Sequence, residues 1–142
     1  MTQHPLMTDK PYSDGLSAKL VILENKQGLR VTLMDIGATW LSCIVPVKGE
    51  EREVLLGVNS LADFESQTAY LGSTIGRYAN RINGGKLKIG SESYQLDTNQ
   101  NGSTLHGGSQ GFDKRRWQIT EQTLTSVLFN LTSIDGDQGF PG

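Results

Sequence analysis

His106 is the one histidine set well inside this 142-residue chain, in the stretch NGSTLHGG; the other, His4, stands near the N-terminus. An imidazole can donate a proton, accept one or bind a metal. A metal site is not expected: no His-x-x-x-His pair exists, and one cysteine cannot complete a set of ligands. Gly107 and Gly108 permit backbone conformations closed to other residues and should clear space beside the ring, as a ligand pocket requires. Two readings of His106 stand: a group facing a ligand, or a ring that only hydrogen-bonds a turn. A second cluster is GRYANRINGG, Gly76 to Gly85, where Arg77, Asn80 and Arg81 crowd between glycines. Asparagine offers a donor and an acceptor, and arginine a planar fork of donors. These groups suit the adjacent hydroxyls of a sugar; they also suit a surface turn whose arginines meet solvent or a carboxylate. A third cluster, DKRRW from Asp113 to Trp117, sets basic residues beside an aromatic, as single-stranded nucleic acid requires. It is short and follows an acid, so it reads better as a turn leading into a strand that buries Trp117.

These clusters need a scaffold, and the chain predicts β-strands. AKLVILE and LRVTLMD flank NKQG and read as a hairpin, with Leu29, Val31 and Leu33 on one face and Arg30 and Thr32 on the other. GATWLSCIVPV reads as a third strand, apolar enough to be buried on both faces, with Pro46 at its end or on an edge. KGEEREVLLG predicts a turn and a fourth strand around Val54 to Leu56. The one helix expected is short, SLADFES, with Ser60 as cap and Asp63 three positions on. KLKIG with SYQLD, and RWQITEQ with SVLFNLTS, read as further hairpins. At least eight short strands with glycine-rich connections predict an all-β, antiparallel β-sandwich or barrel.

Bulk properties narrow the function classes. Charged residues make up 20% and the formal net charge is −2, which gives no reason to expect nucleic acid or an anionic membrane as partner. Cys43, alone and in an apolar run, predicts a buried structural thiol. No apolar run approaches the ~20 residues that span a bilayer, and no signal-peptide pattern opens the chain, so a cytoplasmic protein is expected. Residues 1–16 read as a polar leader and residues 17–142 as one β-sandwich domain. The final SIDGDQGFPG is a loop built for continuation, which predicts truncation.

GRYANRI, NGSTLHGG, GFDKRRW and DGDQGFPG occur in an order and spacing that resemble the aldose 1-epimerase (galactose mutarotase) family; VTLMDIGATWLSCIVP is similar to that family's first strands. The resemblance runs from about Leu20 to Gly142, and Arg81 and His106 stand 25 positions apart (106 minus 81), as in the family. It implies the N-terminal portion of a large mutarotase-like sandwich. It implies an isomerase that interconverts the α and β anomers of free aldohexoses, galactose and glucose, without a cofactor. A general acid protonates the ring oxygen while a general base takes the anomeric proton, and the ring opens and recloses. Asn80 and Arg81 match positions that contact sugar hydroxyls, and His106 matches a histidine near the ring oxygen, in a supporting role. Asp113 and Trp117 match scaffold positions. The principal acid, a later histidine, and the base, a late glutamate, have no counterpart in these 142 residues. The resemblance therefore implies an incomplete copy, inactive alone and prone to self-association through uncovered strands. A non-catalytic carbohydrate-binding protein on the same fold is the alternative. A sugar-phosphate isomerase using Arg77 or Lys114 to Arg116, and a nucleic-acid binder, are weaker ones.

Overall fold

The structure, a computed structural model, describes residues 6–142; His4 lies outside them. It is built from ten short antiparallel strands and one six-residue α-helix. The chain divides into two compact units, one of residues 6–73 with 116–130, the other of residues 74–115 with 131–142.

The first unit is built on a four-stranded sheet in the order β1-β2-β3-β4. β1 (Leu20–Glu24) and β2 (Arg30–Met34) form the predicted hairpin. Gly28, at φ +84°, takes the left-handed conformation that lets the loop close. Both faces of β2 are covered from Val31 onward, since Val31, Thr32, Leu33 and Met34 are all buried. β3 (Thr39–Val47) pairs with β2 through a bulge: Thr32 faces Ser42 but Leu33 faces Trp40, so Leu41 is the extra residue. A bulge shifts the two-residue period by one, so the neighbours Leu41 and Ser42 are both buried. It also leaves Trp40 exposed, against the expectation of a strand covered on both faces. Cys43 is likewise only half-buried. Pro46 is the second-last residue of β3, consistent with a strand end.

The fourth strand is not at Val54 to Leu56. β4 is Glu50–Glu53, entirely charged, and Val54 and Leu56 are exposed outside any strand. A tight turn with Lys48 and Gly49 in the left-handed region sets the register from Val47 opposite Glu50 onward. Backbone pairing from β3 thus makes a strand of residues with weak strand propensity. The Glu53 carboxylate turns back, accepting the Cys43 and Leu55 N–H groups and the Ser42 hydroxyl. Burial opposes its charge, but these donors outweigh it and hold its pKa below the usual range.

The helix α1 (Leu61–Ser66) is capped as expected: the Ser60 hydroxyl accepts the Asp63 N–H at 3.1 Å. Its Leu61 and Phe64 join Met7, Ala18, Met34, Ile36 and Leu41 in one apolar cluster. A hairpin of β9 (Gln118–Gln122) and β10 (Val127–Asn130) completes the unit. Trp117 precedes β9 and is half-buried, with its N–H donated to the Asp35 carbonyl at 2.8 Å. Arg116 binds the Asp35 carboxylate, which is buried, and the carboxylate of Asp14.

The second unit holds β5 (Arg81–Ile82) paired with β8 (Thr104–Leu105), and the hairpin of β6 (Lys86–Ile89) with β7 (Glu92–Gln95). Residues 131–142 are pinned to it by two arginines. Arg77 donates to the Ser133 hydroxyl and to the carbonyls of Ile134 and Pro141. Arg115 binds Asp137 at 2.6 Å and the Thr132 carbonyl.

Candidate functional site

The short β5–β8 ladder gathers the three residues singled out from the sequence. Arg81 stands opposite Leu105 and Ile82 opposite Thr104, so the residues just outside the pairing, Asn80 and His106, meet each other. The His106 N–H donates to the Asn80 carbonyl at 3.0 Å, and the Asn80 N–H donates to Nδ1 of the His106 ring at 2.9 Å. With Nδ1 an acceptor, the neutral ring carries its proton on Nε2. Asn80 and His106 both have positive φ, 70° and 51°, a backbone region seldom used outside glycine. The pair of exchanged hydrogen bonds holds them there.

Arg81 is exposed and its fork is held by two neutral amides. Its Nε donates to Oε1 of Gln100 at 2.6 Å, and its Nη1 to Oδ1 of Asn80 at 3.2 Å. Gln100 was not singled out from the sequence. It flanks a two-residue turn, Asn101 and Gly102, at φ 47° and 76°, closed by reciprocal bonds between Gln100 and Ser103. Asn-Gly between paired residues is a strong hairpin signal, and it marks where this acceptor is delivered. Asn99 performs a second task that was missed. Its side chain accepts the Leu105 N–H at 2.7 Å and donates to the Leu105 carbonyl at 3.0 Å. The side-chain amide thus replaces a missing neighbouring strand on the outer edge of β8, satisfying groups that would otherwise need water.

Gly107 and Gly108 take the left-handed backbone expected of them, at φ +90° and +97°, but the space beside Gly107 is not clear. A Cβ on Gly107 would lie 1.8 Å from the Gly76 carbonyl oxygen, so protein backbone fills the space expected to stand clear for a ligand. A Cβ on Gly108 would meet side chains instead, Gln138 Oε1 at 3.0 Å and Asp97 Oδ2 at 3.1 Å. Two carboxylates flank this turn with opposite electrostatics. Asp97 accepts the Ser109 hydroxyl and N–H, both at 2.6 Å, which holds its pKa below the usual range. Asp113 is buried with Oδ1 lacking a hydrogen-bond partner; burial raises its pKa, opposed by the positive charges of Lys114 and of His106 when protonated.

The other basic residues weighed for chemistry are engaged in the fold. Arg77, Arg115 and Arg116 make the contacts described above, and Lys114 donates to the Ser109 carbonyl at 3.3 Å. Among the described residues no group of three His, Cys, Asp or Glu side chains is gathered to hold a metal. No helix among them is long and apolar enough to cross a membrane. What the ladder assembles is a row of an exposed amide, an exposed guanidinium and a half-buried imidazole, groups suited to hydrogen-bonding a polyhydroxylated ligand.

Residues 19–142 match the family model described as aldose 1-epimerase. The chain is 50% identical over 129 residues to the aldose 1-epimerase of Haemophilus influenzae, covering 91% of this chain and 37% of that protein. It is 51% identical over 130 residues to the aldose 1-epimerase of Escherichia coli, covering 91% and 38%. Human galactose mutarotase is 38% identical over 116 residues, covering 80% of this chain and 33% of that protein. The solved structure of the GalM/aldose epimerase homologue from C. elegans superposes with a TM-score of 0.82 at 34% identity, covering 89% of this chain and 39% of that one. The galactose 1-epimerase of Lactobacillus acidophilus superposes at 0.76 with 30% identity, covering 92% and 39%. The all-β fold is the one these structures share. This chain spans 37% and 38% of the length of the two bacterial relatives.

Proposed function

The chain belongs to the aldose 1-epimerase family, and from that premise we propose that its 142 residues supply the substrate-orienting wall of an enzyme that interconverts the α and β anomers of free aldohexoses in the cytoplasm. The observation that supports this reading is the β5–β8 ladder, which sets Asn80, Arg81 and His106 side by side. In this reading Asn80 and Arg81 hydrogen-bond the hydroxyls of galactose or glucose. His106 lies by the ring oxygen and stabilises charge as the C1–O bond breaks, without carrying the main proton transfers. Ring opening needs an acid at the ring oxygen and a base at the anomeric hydroxyl, each worth ~10²–10⁴-fold in rate. The resemblance implies a later histidine and a late glutamate for these roles, and neither has a counterpart among the 142 residues. No cofactor is required.

Two measurements test the proposal. Titration calorimetry with D-galactose should give saturable heat, and Arg81→Ala or His106→Ala should weaken binding by ~10- to 100-fold, the effect of one hydrogen bond to a charged group. Absence of heat from the unaltered chain refutes a preformed wall. Polarimetry on fresh α-D-galactose should show mutarotation at the buffer's own rate; an enzyme-like rate from the purified chain would place the acid and base within it. Binding without turnover also suits a second reading, a non-catalytic carbohydrate-binding protein.

A further inference from the structure

We propose that Gln100 is a positioning residue that aims the Arg81 guanidinium, an inference that rests on Arg81 being a sugar-binding group. An exposed arginine has four rotatable side-chain bonds and loses much rotamer freedom when fixed. Arg81 is nonetheless fixed at two points. Gln100 takes Nε at 2.6 Å and Asn80 takes Nη1 at 3.2 Å, while Nη2 makes no protein hydrogen bond among the described residues. The unused N–H groups therefore point in one direction, so less freedom is left to lose when a ligand oxygen arrives.

The chemical nature of the two acceptors is the second part of the argument. Elsewhere in the same chain, Arg115 and Arg116 are bound by carboxylates that neutralise them. Arg81 is held by side-chain amides alone, which orient it and leave its full positive charge for the ligand. Gln100 is in turn fixed by its place in the fold. The Gln100 N–H and carbonyl both bond Ser103 across the Asn101-Gly102 turn, and Ser103 is followed directly by β8. The turn therefore ties the Gln100 amide to the strand that carries His106 at its end.

Nuclear magnetic resonance of the arginine Nε–H groups reads this directly in the intact chain. Without sugar, the Arg81 Nε proton should exchange with water about tenfold faster in Gln100→Ala than in the unaltered protein, the factor a hydrogen bond to a charged group supports. Gln100→Glu, which keeps the acceptor oxygen, should restore the protection. The backbone amides of Ile82 and His106 should stay in place in both variants, showing that the ladder is intact. Equal Nε exchange in the unaltered protein and Gln100→Ala overturns the inference, as does a gain in exchange that Gln100→Glu does not reverse. Adding galactose separates this inference from the reading beneath it. Protection of Nε with no galactose-induced shift at Arg81 leaves the positioning contact standing and removes its sugar. Equal galactose affinity in the unaltered protein and Gln100→Ala overturns the positioning role.

Discussion

Asp113 and Arg116 stand three positions apart and mark two opposite ways of burying charge. Asp113 has an oxygen without a partner and a pKa raised by burial. Its folded-state pKa lies above the ordinary value of 3.8, so the folded protein binds more protons in that window and loses stability as pH rises through it. Asp113→Asn mimics the protonated form. It should therefore raise the midpoint of thermal unfolding at neutral pH and leave it unchanged at pH values below the carboxyl's titration. Calorimetric scans across that range check both halves. Arg116 behaves in the reverse sense. Its hydrogen bond to Asp14 pulls that carboxyl's pKa down to about 2 from 3.8, so the stability it contributes is present above pH 3.8 and is lost as pH falls toward 2. It also neutralises the buried Asp35. Arg116→Met should cost ~3–5 kcal/mol in urea unfolding at neutral pH, because it strands a buried carboxylate.

At the scale of elements, the turn from His106 to Gly108 tolerates little change at Gly107. Gly107, at φ +90°, sits on the Gly76 carbonyl. Gly107→Ala should cost at least ~1–3 kcal/mol from the left-handed backbone alone, with more from the clash. Chemical denaturation measures the loss, and displacement of the His106 and Asn80 amide resonances would locate it. The hairpins were legible in the sequence because their apolar alternation and glycine loops are local signals. β4 was not, since Glu50 to Glu53 are a strand only by virtue of the ladder that β3 offers. Nor was the bulge at Leu41, which moves Trp40 outward and depends on the register with β2. In the candidate site, Asn80, Arg81 and His106 were legible as residue types in glycine-rich settings. Their supports, Asn99 and Gln100, were not, because an amide that serves a strand edge or an arginine fork is visible only once β5 and β8 pair. The space beside Gly107 was not legible for a related reason: a missing Cβ makes room, and sequence does not say whether ligand or backbone takes it.

For the molecule as a whole, the exposed apolar side chains carry a prediction for its behaviour in solution. Leu124, Leu56 and Ile134 are 84%, 81% and 71% exposed. β4, paired only with β3, carries three glutamates, a composition that discourages strand-to-strand pairing. Self-association should therefore proceed through apolar side chains rather than this edge. Light scattering should show a mass that rises with protein concentration and is insensitive to salt; a monomer at all concentrations would refute this. The division into two units has a spectroscopic corollary. Both tryptophans of the chain, Trp40 and Trp117, fall in the first unit, and the second holds Tyr78 and Tyr94 but no tryptophan. Indole emission therefore originates in the first unit, whereas Asn80, Arg81 and His106 belong to the second. A melt followed by fluorescence at tryptophan wavelengths reads indoles of the first unit, whereas the β5–β8 ladder lies in the second. Only when that trace coincides with one from the far-ultraviolet backbone signal is the whole chain unfolding in a single step.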